Sequence, residues 1–287
     1  MRYRLIKEQS KQFHVKAMCK VMKVSASGYY QWAASAERDD AKEEALCQKV
    51  LKIFKDSGDS YGSRRICRTM RKECIHCSRR RICKIMKKLG IAPKRQRRFR
   101  ITTDSNHGFH IYPNLLMRNF HVDAANKVWV SDLTYIWTDE GWLFLATVID
   151  LYSRRVVGWS MSKSLESRIA QDALDMAVRN RHPEEGLIHH SDRGVQYACK
   201  AYQEMLKKHG MVCSMSKKGD PWDNSVAESF FCTLKKELVY RKKFATREQS
   251  RREIFNFIEV FYNRQRMHSY LGYRSPEEFE AQAVNAA

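Results

Sequence analysis

Apolar residues recur along this chain with two different periods, and the change from one to the other divides it. From residue 13 to about 89 the spacing is helical. Val15, Met18, Cys19 and Met22 mark one short helix and Ser25 is placed to cap a second, so 13–32 reads as two helices around a tight turn. A helix-turn-helix and an ordinary helical hairpin fit these residues equally. Asp40 followed by Glu43 has the form of a capping box for a helix to about residue 56 that buries Leu46, Val50, Ile53 and Phe54. Tyr61-Gly62-Ser63 opens another, with Ile66, Cys67, Met70 and Cys74 facing inward. Ser78 then caps 79–89, whose apolar stripe is Ile82, Ile85, Met86 and Leu89, and Gly90 ends it.

Beyond residue 127 the pattern becomes that of strands. Segments 127–138, 142–150 and 154–161 are rich in Val, Ile, Trp and Tyr, and Asp139-Glu140-Gly141 and Tyr152-Ser153 supply turns, which predicts an antiparallel meander. A helix over 166–180, a short strand 187–190, a helix 200–208 and a strand 211–215 follow. Strand-helix-strand alternation after a meander predicts a mixed sheet with helices on its faces. A loop at 217–222 precedes a helix carrying Glu228, and 248–262 is amphipathic, with Ile254, Phe257, Ile258 and Phe261 as its buried stripe. The expected organisation is a helix-turn-helix-like segment at 1–36, a helical DNA-binding module at 37–93, a basic linker at 94–120, and an α/β core with C-terminal helices at 121–287.

Charge sharpens this division. The 287 residues carry a formal net charge of +21. Residues 1–120 hold 29 Lys/Arg against 10 Asp/Glu, whereas 121–287 hold 24 against 22, so the excess is almost wholly N-terminal. An arm of that charge attracts phosphate backbones. On the helix at 79–89 the face opposite the apolar stripe offers Arg79, Arg80, Arg81, Lys84, Lys87 and Lys88, with no acid among them. A solvated charged face ordinarily alternates in sign, so this one is read as a recognition helix for the major groove. Arg95, Arg97 and Arg98, in the run 94–100, suit a segment laid along phosphates or into a minor groove, and a plain tether fits as well.

Membrane is the competing anionic partner. No apolar run approaches bilayer-spanning length and no signal-peptide pattern follows Met1, so a soluble cytoplasmic protein is expected. Nine scattered cysteines, an odd number, suggest reduced thiols. Cys74-Ile75-His76-Cys77 has half of a zinc-site spacing. Cys67 and Cys83 fit apolar helix faces instead, and small buried hydrophobes are the favoured reading of the group.

The candidate chemistry lies in three carboxylates. Asp132 interrupts the apolar strand 128–136, Asp192 closes Leu187-Ile188-His189-His190-Ser191, and Glu228 follows Asp223-Asn224-Ser225 on a helix. An acid inside an apolar strand is costly unless something positive neutralises it. Carboxylates converging from different elements make an oxygen-rich cage for a hard divalent cation such as Mg²⁺. Asn224 and Lys235 share the helix face of Glu228, one turn before and two turns after it, and a lysine there can grip a substrate phosphate. Asp150 ends a strand at a turn and is read as structural. His189 and His190 face opposite sides of a strand and are also read as structural. Trp222 either stacks on a base or packs under its loop, and Arg266 and His268 either contact DNA or tie the last helix to the core.

The strings Trp129-Val130-Ser131-Asp132-Leu133-Thr134-Tyr135, His190-Ser191-Asp192-Arg193-Gly194-Val195-Gln196-Tyr197 and Asp223-Asn224-Ser225-Val226-Ala227-Glu228-Ser229-Phe230-Phe231, with Lys235 after them, resemble the catalytic signature of bacterial insertion-sequence transposases. Within these, the resemblance is to the OrfB-type group, often made as a fusion to an upstream OrfA. Tyr262-Asn263-Arg264-Gln265-Arg266-Met267-His268, then Leu271 and Pro276, resembles the end of these cores, and the likeness spans almost the whole chain. It implies a ribonuclease H-like core similar to retroviral integrases. It also implies a catalytic triad of Asp132, Asp192 and Glu228 holding two Mg²⁺ ions, with Mn²⁺ as a substitute, and cleavage and joining of DNA strands at element ends. Double-stranded DNA, further copies of the chain assembled on it and an OrfA fusion are the partners implied. A DNA-binding regulator with a silent core, and a structure-selective nuclease of the same fold, remain as alternatives.

Overall fold

The structure is a computed structural model that describes residues 2–93, 109–217 and 221–284. Arg95, Arg97 and Arg98 lie outside the described residues. The chain divides into two compact units, Met1–Lys94 and Arg95–Ala287.

The first unit is all helical: α1 (Arg2–Gln9), α2 (Val15–Val21), α3 (Ala26–Asp56), α4 (Ser63–Lys72) and α5 (Arg79–Lys88). Ser25 and Ser78 cap α3 and α5 as expected, accepting from Gly28 N at 3.2 Å and Arg81 N at 3.3 Å. The helix start expected at Asp40 does not form, because α3 runs unbroken for 31 residues. No Gly or Pro lies between Gly28 and Gly58, and Ala, Leu, Glu, Gln and Lys fill the run; without a break there are no orphan backbone groups for Asp40 to cap. Two small cores therefore share one helix. Near its start Ile6, Cys19 and Tyr29 cluster, and near its end, where α3 contacts α4 and α5, Val50, Ile53 and Phe54 are buried along with Ile66, Met70, Ile82 and Ile85 of those helices. Cys74 and Cys83 are exposed, against expectation. Cys74 falls beyond the end of α4 in the left-handed region, φ 59°, so the helical spacing that pointed it inward no longer applies. Cys67 is buried and its Sγ lies 3.3 Å from the Cys77 carbonyl.

In the second unit β1 (Val128–Thr138), β2 (Gly141–Asp150), β3 (Val156–Ser162), β4 (Ile188–Ser191) and β5 (Val212–Met215) form one sheet in the order β3-β2-β1-β4-β5. The first three strands are antiparallel, and β4 and β5 run parallel to β1, which is the mixed sheet the pattern predicted. Alternate residues feed two cores. Trp129, Ala146, Val148 and Val157 pack with α6 (Ser167–Arg181), α7 (Val195–Ala198) and α8 (Lys200–Lys208). Val130, Ile136, Leu145 and Ile149 pack with α9 (Ser225–Glu237), α10 (Arg247–Phe255) and the π-helical turn Asn256–Tyr262 that continues it. The wider turn shifts the buried stripe, so Tyr262 is buried where Phe261 was expected and Phe261 is half-buried. Gly158 lets α6 lie on the sheet, for a Cβ there would stand 2.2 Å from the Ala173 carbonyl oxygen.

Asp150 is fully buried and accepts from the backbone N–H groups of Asn126, Tyr152 and Ser153, so it shapes the turn after β2. Glu280, on α11 (Pro276–Val284), pairs with Arg155 and Arg181 and ties the C-terminal helix to the sheet. Among the described residues no helix is long and apolar enough to cross a membrane.

Candidate active site

The sheet register brings the first two carboxylates together. β4 pairs with β1 only from Val128 to Val130, and Val130 lies opposite His190. Two residues further along β1 stands Asp132, Asp192 follows directly where β4 stops, and the charge of Asp192 acts on Asp132. α9 is pinned beside them. Asn224, buried just before its first turn, donates from Nδ2 to the Ser131 carbonyl at 3.2 Å, and Glu228 sits one turn further along. Two turns after Glu228, Lys235 is only 5 % exposed, with Nζ 5.1 Å from the centre of the Tyr135 ring.

Electrostatics record the convergence. Burial pushes the Asp132 carboxyl well above the usual range, and the charges of Asp192 and Glu228 push it further. A hydrogen bond from Leu133 N, 2.7 Å from Oδ1, and the Lys235 ammonium pull it down without cancelling the rise. The Lys235 pKa is lowered by burial and raised by Asp132. Glu228, the most exposed of the three, is raised by partial burial. Asp192 accepts from Gly194 N at 2.9 Å, so its loop holds its own side chain.

A half-buried acid held toward protonation by desolvation and two like charges is a seat for a cation. The donors are hard carboxylate oxygens, which suit Mg²⁺ or Mn²⁺ over softer metals. Among the described residues, no three His, Cys, Asp or Glu side chains are already gathered into a closed ligand cluster. Asp192 and Glu228 thus each act on Asp132 electrostatically, while the three are not gathered into one ligand cluster.

The neighbouring histidines are structural. His189 Nε2 lies 2.8 Å from Ser131 Oγ and 3.0 Å from the Tyr202 hydroxyl, and burial takes its pKa down to about 3. His190 Nδ1 meets Ser214 Oγ at 2.9 Å, and burial brings it to about 4. Arg266 is buried in a two-pronged pair with Glu237 at 2.9 Å on each prong, which ties the segment after the π turn to α9. Trp222 is 68 % exposed. Sequence reasoning gave no role to Asp223. It is 2 % exposed and accepts from Asn114 Nδ2 at 2.8 Å, Lys217 N at 2.9 Å and Arg118 Nε at 3.4 Å, joining the loop before α9 to the segment before β1. Its place in the string Asp223-Asn224-Ser225 was the available signal.

In the first unit Arg79, Arg80, Arg81, Lys84, Lys87 and Lys88 of α5 are all exposed. Arg81 and Lys88 both reach Glu43 on α3, at 3.3 and 3.7 Å, and Arg79 Nε lies 3.4 Å from Ser63 Oγ. Arg80, Lys84 and Lys87 form the outward stripe at i, i+4 and i+7.

Comparison with known proteins agrees with this architecture. Residues 122–221 and 228–284 match two families, both described as integrase core domain, and 41–99 match an HTH-like domain. The chain is 40 % identical over 283 residues to the transposase InsF of insertion sequence IS3A from Escherichia coli K12, covering 98 % of each. The chain belongs to the insertion-sequence transposases. A 31 kDa protein of insertion element IS600 from Shigella sonnei is also 40 % identical, over 91 % of this chain and 97 % of its own length. The catalytic core of bovine immunodeficiency virus (BIV) integrase superposes loosely, with a TM-score of 0.42 and 15 % identity over 56 % of this chain and 97 % of that one. As an insertion-sequence transposase with an integrase core, this chain has the ribonuclease H-like fold, and its HTH-like match covers α4, α5 and the last part of α3.

Proposed function

We propose that this transposase cuts one DNA strand at an element end and joins the freed 3′ end to target DNA, with Asp132, Asp192 and Glu228 as the catalytic metal ligands. The observation that carries the reading is the shared electrostatics of Asp132, Asp192, Glu228 and Lys235 at the edge where β4 stops. Two Mg²⁺ ions, or Mn²⁺ in their place, supply the activated nucleophile and stabilise the leaving oxygen when bound. The chain's own residues do the rest. Asn224 fixes α9 against β1, so that Glu228 stays within reach of the two aspartates. Lys235, buried and beside Asp132, is placed to hold the phosphate being attacked. The exposed basic face of α5, with Arg79, Arg80, Arg81, Lys84 and Lys88, grips duplex DNA, Arg80 and Lys84 most directly because Glu43 draws on Arg81 and Lys88. Arg95, Arg97 and Arg98 extend that grip along the backbone. Two element ends must be held at once, which calls for at least two copies of the chain on DNA, and an OrfA fusion is a candidate for supplying further end recognition in the bacterial cytoplasm.

A nicking assay tests the reading. A duplex copied from the ends of the element that encodes this chain is incubated with the full chain in Mg²⁺, beside Asp132→Ala. Metal-dependent nicking that vanishes in the variant is expected. Retention of the duplex with no nicking by either protein would establish a silent binder, and cutting that ignores the end sequence would establish a structure-selective nuclease.

A further inference from the structure

A cavity of about 590 Å³ lies in the second unit, and neither the three acids nor α5 lines it. Its walls include Tyr112, Asn114, Arg118, Arg193, Lys217 and Asp223. Arg193 directly follows Asp192, and Asp223 precedes Glu228 by five residues, so the cavity shares two of the three segments that carry the catalytic acids. Three of these six side chains are cationic and one is anionic. The volume is that of a small-ligand site and suffices for a single nucleotide.

The wall bearing Arg118 is built with some backbone strain. Met117 and Arg118 both adopt left-handed φ, 46° and 62°, which two successive non-glycine residues rarely do. Asn114 Oδ1 accepts from Met117 N at 3.0 Å to hold that turn, and Leu115 N donates to Ser214 Oγ at 2.9 Å, fastening it beside β5. Arg193 is oriented in its turn by donating from Nε to the Ser216 carbonyl at 2.7 Å. Asp223 draws in Arg118, Asn114 and the backbone of Lys217. Strain retained in a segment that presents a cation to a cavity is the kind of outlier found at ligand clamps.

We infer that this cavity seats one nucleotide of the DNA strand next to the scissile position, its phosphodiester met by Arg118, Arg193 and Lys217 and its sugar and base lying toward Tyr112. This rests on the transposase reading and adds a site to it. The phosphodiester belongs to the DNA substrate, so the site positions the strand and takes no part in bond making.

The test neutralises phosphates one at a time with methylphosphonates in the end duplex and measures binding of the full chain, wild type and Arg118→Gln/Lys217→Ala. Gln keeps a donor for Asp223, and Lys217→Ala alone serves as a second variant because that side chain is exposed. At one or two positions the affinity penalty seen with wild type should disappear in the double variant. The slope of log affinity against log salt should fall by about 0.9 for each lost contact. Penalties that persist at every position in variants with unchanged melting temperature would overturn the site. So would stabilisation by a free mononucleotide without any methylphosphonate effect, which would assign the cavity to a small ligand. Failure of wild type to nick the duplex would instead remove the underlying transposase reading, so the two failures are distinguishable.

Discussion

Asp132 carries its charge at a cost to the fold. Its folded pKa lies above the unfolded value, so from about pH 3.8 upward the native state holds a proton that the unfolded chain has lost, and stability falls as pH rises through that window. Asp132→Asn should therefore melt at least about 2 °C higher than wild type in metal-free buffer at neutral pH while losing all nicking. Magnesium should raise the wild-type melting temperature, because a ligand that binds only the native state stabilises it, and should leave Asp132→Asn unmoved. A wild-type melt indifferent to magnesium would remove Asp132 from the ligand set. His189 behaves in the opposite sense. Its pKa is near 3 in the fold and 6.5 in the free side chain, so between those values the unfolded state binds the extra proton and stability is lost as pH falls. His189→Gln, which keeps a nitrogen near Ser131 and Tyr202, should flatten the fall in melting temperature between pH 6.5 and 4 at some cost in stability at pH 7.5.

At the scale of elements, α6 and α9 set the site from opposite faces of the sheet. α6 approaches so closely that Gly158 has no room for a methyl group, with Ala173 O at 2.2 Å and Ala177 N at 2.6 Å from the missing Cβ. Gly158→Ala should cost about 3 kcal/mol, the upper end of ordinary overpacking, read as a lower urea midpoint at unchanged slope. A loss well under 1 kcal/mol would mean that α6 shifts away freely. α9 is held at its start by Asn224 on Ser131 and at its end by Glu237 on Arg266, so the helix bearing Glu228 and Lys235 is clamped at both ends. The periodic signals for these helices and strands were plain in the sequence. One exception was the junction at Asp40, where a capping signal lay inside a run with no residue to break it; others were Cys74 and Cys83 and the stripe shifted by the π turn.

Across the whole molecule, the basic helix and the three candidate carboxylates lie in separate units, Met1–Lys94 and Arg95–Ala287. Reversing charge on the outward stripe, Arg80→Glu with Lys84→Glu, should weaken duplex binding at least tenfold and lower its salt slope. Both side chains are exposed, so the melting temperature and its response to magnesium should not change. Loss of the magnesium response in that variant would contradict the division of labour.

Along the chain, hydrophobic period alone determined α2, α4 and α5, the meander, the strand-helix alternation and thus a mixed sheet, because burial of a face imposes its repeat on neighbouring residues; α1 and the unbroken course of α3 were not read from it. The three acids were visible by context and by resemblance. Tertiary structure decided what no local repeat encodes. The pairing of β4 with β1 brings the end of β4, and Asp192 after it, to the strand that bears Asp132, and Asn224 and Arg266 fix α9. Asp223 and the strained turn at Met117 and Arg118 became meaningful only when segments about a hundred residues apart met at one cavity. Such contacts arise from pairing between distant segments, and a sequence read through a window of a few turns carries no record of them.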